Sequence, residues 1–183
     1  MIISITGTPG SGKSTAGKAL SERLVMKRYY MGAIRRQKAT MRGMTLDEYN
    51  KLGETDPSTD KEVDEYVKYL GETEDNFIIE SRTAWYFIPH SFKIFLTVDP
   101  KEGARRIVEH LKEDAKNRNE TNYQTIEQAL RGLAEREASD DKRYEQYYGI
   151  NIRNPNNFDL VIDTTSIAPE ETLEKIIYSL PKK

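Results

Sequence analysis

The sequence predicts an α/β protein of three layers, a parallel five-stranded sheet flanked by helices, and three observations carry that expectation. Short apolar runs alternate with stretches of helical period, the pattern of strand–helix–strand crossovers. The first run, residues 1–5, leads directly into Gly7-Thr8-Pro9-Gly10-Ser11-Gly12-Lys13-Ser14, and helix formers follow from Thr15. The later runs end in polar residues, namely Glu80, the 97–99 stretch and Asp163, as they do where strand carboxyl ends line a ligand crevice.

Each element follows in order. Residues 2–6 form the first strand, a β-branched run too short for a helix, and residues 12–26 form the first helix. A weak strand at 29–30 precedes helices at 32–42, 45–52 and 57–69. Strands at 77–80 and 93–98 are apolar runs of buried type. A helix at 101–113 opens on Asp99-Pro100-Lys101-Glu102, with proline and acid in the first turn as helix starts favour. A long helix at 123–148, a strand at 160–163 and a helix at 169–180, again opening on proline and glutamates, complete the chain. Between helices, residues 112–122 are polar and dense in charge, a candidate mobile lid.

The glycine-rich stretch fits G-x-x-x-x-G-K-[ST], the phosphate-binding P-loop, in the strand–loop–helix setting that the motif needs. Gly7, Thr8, Pro9, Gly10, Ser11, Gly12, Lys13, Ser14 and Thr15 are therefore expected to hold a nucleoside triphosphate. Backbone N–H groups and the helix N-terminus face the phosphates, Lys13 reaches the terminal ones and Ser14 ligates Mg²⁺. The 183 residues suit one domain, 1–183, and the net charge of −2 with 32% charged residues gives no general pull toward nucleic acid. The chain has no cysteine, which suits a reducing compartment, and its first apolar run is too short for a signal peptide or a membrane span. A cytoplasmic monomer acting on small molecules, without nucleic-acid or membrane partners, is the expectation.

The D-x-x-G and N-K-x-D pair of a GTP switch occurs nowhere in the chain, and a motor has no room for further domains. A small phosphotransferase remains, and it requires arginines from several segments to neutralise two phosphate clusters. They are present in Gly32-Ala33-Ile34-Arg35-Arg36, in Glu80-Ser81-Arg82 and in Glu135-Arg136-Glu137-Ala138-Ser139-Asp140-Asp141-Lys142-Arg143. Together with the P-loop, this set resembles the cytidylate kinases, nucleoside monophosphate kinases that move the γ-phosphate of ATP onto CMP or dCMP. The short archaeal-type branch is most similar, with counterparts also for 42–46, 56–57, 60–62 and 144–152.

Arg136, Asp140 and Arg143 are spaced i, i+4, i+7 and share a helix face. The resemblance implies that this face looks at the acceptor nucleotide and the transferring phosphoryl group; a solvated face with a salt bridge is the alternative. It further implies that Gly32, Arg36 and Arg82 bind the acceptor, that Arg106 at the base of the lid packs against ATP, and that Glu80 holds a metal-bound water. Residues 31–70 would be the acceptor-binding region and 112–122 the lid. Catalytic charge neutralisation would fall to Lys13, Arg82, Arg136 and Arg143, and the role of Asp140 stays open between the cytosine amino group and ordering the arginines. Met31 replaces a small hydroxyl residue of the family, Ser81 a glycine, and Thr83 stands where longer relatives often carry Asp, so base preference is less secured than reaction type. Trp85, Tyr86 and Phe87 form either a base wall or core. Another small-molecule kinase on this scaffold, acting on UMP or another acceptor, and a nucleotide-binding regulator without turnover remain alternatives.

Overall fold

A computed structural model describes residues 1–114 and 123–181. Its elements are β1 (Ile2–Gly7), α1 (Lys13–Leu24), β2 (Lys27–Tyr30), α2 (Met31–Met41), α3 (Leu46–Leu52), α4 (Ser58–Thr73), β3 (Phe77–Glu80), α5 (Ala84–Phe87), β4 (Phe92–Thr97), α6 (Pro100–Asp114), α7 (Ile126–Tyr148), β5 (Leu160–Asp163) and α8 (Pro169–Ser179), with a 3₁₀ turn at Pro155–Asn157. The proposed lid lies outside the described residues apart from the helical end of α6. Among the described residues, no helix is long and apolar enough to cross a membrane.

All strand pairs are parallel, in the order β2-β3-β1-β4-β5. β1 and β3 are buried on both faces, which is why they read as unbroken apolar runs. On one side of the sheet, Ile3, Ile5, Leu20, Ile78, Ile94 and Ile176 pack the core against α1 and α8. On the other, Ile2, Phe77, Ile79, Val67, Leu70 and Ile88 pack it against α4. The register sets Ile5 beside Glu80 and Gly7 beside Leu96, so the P-loop and the end of β3 emerge side by side. The connections leaving β1 and β3 run in opposite directions across the sheet, to β2 and to β4, and neighbouring strands of that kind open a crevice at their carboxyl ends.

Several boundaries differ from the sequence expectation for local reasons. Thr125 caps α7 by accepting from the Gln128 N–H at 3.2 Å, so the helix starts at Ile126 and not at 123. Thr45 and Glu48 form a capping box that begins α3. α4 runs to Thr73, past 69, because its buried stripe continues through Leu70. α5, with four residues, is shorter than any helical period can reveal.

Candidate active site

The loop from β1 to α1 wraps by way of left-handed glycines. Gly10 has φ +76°, and a side chain there would run into the backbone of Gly103 at the start of α6. Only glycine allows both the conformation and the approach. Ser11 Oγ and Lys13 Nζ each donate to the Thr8 carbonyl, at 2.8 and 2.7 Å, and so tie the loop to the first turn of α1. Lys13 is half-buried. Burial, and then the charges of Arg82 and Arg136, lower its ammonium from the ordinary value to about 7.

A cavity of about 520 Å³ opens over this loop. Gly7, Pro9, Gly10, Ser11, Gly12, Lys13, Ser14 and Thr15 line it, and so do Gly32, Arg36, Arg82, Arg106, Arg136 and Asp140. Thr8 does not line it and acts through its carbonyl. Arg36 lies over the Tyr30 ring at 5.0 Å. Arg106 donates to Glu102 at 2.8 Å and to the Thr164 carbonyl at 2.8 Å, which joins α6 to the β5–α8 turn beside the P-loop.

Arg143 departs from the expectation of a phosphate contact. It is fully buried and lies outside the cavity. Its Nη1 donates to Asp60 at 2.5 and 2.6 Å and its Nη2 to Asp140. Asp140 also accepts from Arg82 Nε. Burial opposes its ionisation, yet Arg82, Arg143 and Arg136 together hold Asp140 well below the usual carboxylate range. Asp140 thus pairs with two arginines, Arg82 and Arg143, while lining the cavity itself.

Sequence reasoning missed the other half of this network. Asp60 accepts from Arg35 Nη1 at 2.7 Å and from the Tyr144 hydroxyl at 3.2 Å. Asp64, one turn on, accepts from Thr83 Oγ1 at 2.6 Å and from Tyr148 at 2.8 Å. Burial pushes Asp64 up to about 6, against the Thr83 and Tyr148 hydrogen bonds. Both aspartates were detectable. They stand on the same i, i+3, i+4, i+7 stripe as Val63 and Val67, and an acid within an apolar stripe is buried only where partners await it.

Glu80 ends β3 nearly fully buried. Arg28 Nε donates to its Oε1 at 2.6 Å and Arg28 Nη2 to the Ser14 carbonyl at 3.3 Å. Burial raises the Glu80 carboxyl, while Arg28 and then Ser14 hold it down. Its Oε2 is buried without a hydrogen-bond partner among the described residues. An unsatisfied carboxylate oxygen beside the Ser14 hydroxyl fits Mg²⁺, which takes hard oxygen ligands and keeps several waters.

The aromatic triplet divides: Trp85 is core, Phe87 packs half-buried against the core and Tyr86 is exposed. Trp85 is buried, donates from Nε1 to the Arg82 carbonyl at 2.9 Å and packs on Phe158, and none of Trp85, Tyr86 and Phe87 lines the cavity. Met31 is buried and lines it, so packing stands where a hydroxyl contact was expected to be lost or replaced.

Comparison with known proteins agrees with this architecture. Residues 3–129 match the family described as AAA domain. The cytidylate kinase of Sulfurisphaera tokodaii is 37% identical over 179 residues, covering 97% of this chain and 93% of that protein. That of Pyrococcus furiosus is 36% identical over 171 residues, covering 93% and 83%. That of Archaeoglobus fulgidus is 30% identical over 184 residues, covering 100% and 96%. Among solved structures, a shikimate kinase from Bacteroides thetaiotaomicron superposes with a TM-score of 0.65 at 15% identity, over 98% of this chain and 99% of that one. At that identity the likeness concerns the fold alone.

Proposed function

The chain belongs to the cytidylate kinase family, and on that premise we propose that it transfers the γ-phosphoryl group of ATP, with Mg²⁺, to CMP or dCMP. One observation carries the proposal: a single cavity gathers the P-loop, the Ser14–Glu80 corner and Arg36, Arg82 and Arg136 from four separate segments. Such convergence of cations suits a reaction in which positioning and charge neutralisation do most of the work.

In this reading the P-loop amides and Lys13 hold the donor phosphates. Ser14, with Glu80 behind it, would hold Mg²⁺, which would supply neutralisation of phosphate charge. Residues 31–70 form the acceptor-binding region, since Met31, Gly32, Arg35, Arg36, Asn50 and Asp64 all face the cavity. Arg36 and Arg82 clamp the acceptor phosphate, and Arg136 neutralises charge on the transferring group. The attacking phosphate oxygen is ionised at neutral pH, so no general base is required. Arg143 is a positioning residue that holds Asp140, and through it Arg82. The absence of cysteine suits the cytoplasm.

An ADP-release assay over a panel of monophosphates tests the proposal. CMP and dCMP are expected to outpace AMP and GMP, and AMP or GMP turning over tenfold faster than CMP overturns it.

A further inference from the structure

Away from the P-loop segment, the cavity is lined by Met31, Leu46 and Val63, all buried. Apolar walls of this kind suit the faces of a flat ring and leave its edge to polar groups. Two such groups stand there with hydrogen-bonding capacity to spare. Asp64, 2% exposed, lines the cavity, and each of its oxygens accepts a single hydrogen bond, from Thr83 and from Tyr148. An ionised carboxylate offers about four acceptor sites, so acceptor capacity remains. Arg35, which also lines the cavity, donates from Nε to Asn50 at 2.7 Å and from Nη1 to Asp60 at 2.7 Å and the Thr59 carbonyl at 3.1 Å. Its Nη2 is buried without a partner among the described residues. A buried guanidinium N–H seldom goes unsatisfied, and a ligand acceptor in the same cavity is the missing partner.

Resting on the pyrimidine monophosphate reading above, the geometry points to Asp64 and Arg35 as the reader of the acceptor base: Asp64 accepts from the exocyclic amino group, and Arg35 donates to the adjacent ring nitrogen or oxo oxygen. Cytosine presents an amino donor at C4 beside an acceptor nitrogen. Uracil presents an oxo acceptor beside an N–H donor. An acceptor and a donor lining the same cavity match the first edge and oppose both groups of the second. The charge of Asp64 is what rejects uracil, because a carboxylate facing an oxo group has no proton to share. The supports are buried and mutually fixed: Thr83 is held by Ser81 Oγ at 3.1 Å through its backbone N–H, and Arg35 by Asp60 and Asn50. A site built around a hydrogen bond discriminates strongly because a mismatched ligand leaves its buried groups unpaired.

Asp64→Asn tests the assignment, since it keeps the shape and supplies an amide N–H that can meet an oxo group. We expect the CMP-to-UMP ratio of kcat/KM to fall at least tenfold, mainly through CMP, with UMP unchanged or improved. A residue that only braces Thr83 and Tyr148 would weaken both nucleotides alike, so an unchanged ratio in an enzyme that selects CMP overturns the inference and leaves the kinase reading intact. A wild-type enzyme that phosphorylates neither pyrimidine overturns both. A second arm needs no variant. Wild-type enzyme given a CMP analogue with hydrogen in place of the 4-amino group should lose at least tenfold in kcat/KM, and a loss under threefold overturns the assignment even if Asp64→Asn fails to fold.

Discussion

Lys13→Ala separates catalysis from folding, because the structure assigns opposite signs to the two effects. The side chain donates to the Thr8 carbonyl at 2.7 Å and stands beside Arg82 and Arg136, whose charges, after burial, help bring it down to about 7. Removing one preorganised charge from a transferring group costs about 10²–10³ in rate, or ~3–4 kcal/mol. For stability the linkage runs the other way. The unfolded lysine titrates near 10.4, so between pH 7 and 10 the unfolded state binds more protons and stability gains from this group as pH rises. Its ammonium therefore opposes folding at and below pH 7, and losing that penalty offsets the lost hydrogen bond to Thr8. One kcal/mol corresponds to about 2–4 °C in Tm for a chain of this size. The variant should thus melt within about 4 °C of wild type at pH 7, and its Tm should rise less than the wild-type Tm between pH 7 and 9. A coupled ADP-release assay and a melting series over pH read both effects. A variant that keeps a tenth of the wild-type rate, or one that melts 10 °C lower at pH 7, would refute the reasoning.

Arg136→Lys should lower kcat by more than tenfold with a smaller change in KM, because an ammonium cannot offer the planar fork of a guanidinium to two phosphoryl oxygens; a kcat within threefold of wild type removes Arg136 from the phosphate site. The preference for CMP over UMP should fall several-fold as pH drops from 7.5 to 5.5. Over that range Asp64, raised to about 6 by burial and facing Thr83, Tyr148, Asp60 and Arg35, gains the proton that ends its role as acceptor. Both substrates carry the same phosphate, with a second ionisation near 6, so the ratio cancels that titration, and a flat ratio contradicts the assignment.

The sheet was legible in the sequence wherever an apolar run met a hard polar stop, with burial on both faces behind the run in β1 and β3 but with only Ile162 buried in β5. β3 and β5 occupy the residues expected of them, and β1 and β4 differ by one residue. β2 was weak because its residues are only partly covered, so Lys27 and Arg28 dilute the signal. Of the site, the segments that carry a motif were visible: the P-loop, the arginine after β3 and the stripe on α7. What the stripe could not reveal is which of its members turn away from the cavity. Arg143 lies seven residues beyond Arg136, or about 10 Å along the axis, and it points to Asp60 of α4 although the next residue, Tyr144, still lines the cavity. Spacing within one helix carries no information about which partner a side chain meets.

The resulting ion-pair network has a logic of its own. Arg35, Asp60, Arg143, Asp140 and Arg82 alternate in charge and join α2, α4, α7 and the turn after β3. Buried pairs of this kind contribute little net stability over apolar packing, whereas loss of one member leaves a buried charge uncompensated. Their value here is geometric. The chain begins and ends on an arginine, with three guanidinium groups to two carboxylates, so both ends that reach the cavity are cationic. One end lines the cavity with Met31, Leu46 and Val63 and the other with the phosphate-binding loop. The carboxylates between them fix the two ends in one frame, so a nucleotide held at its base by Arg35 presents its phosphate to an Arg82 already in position.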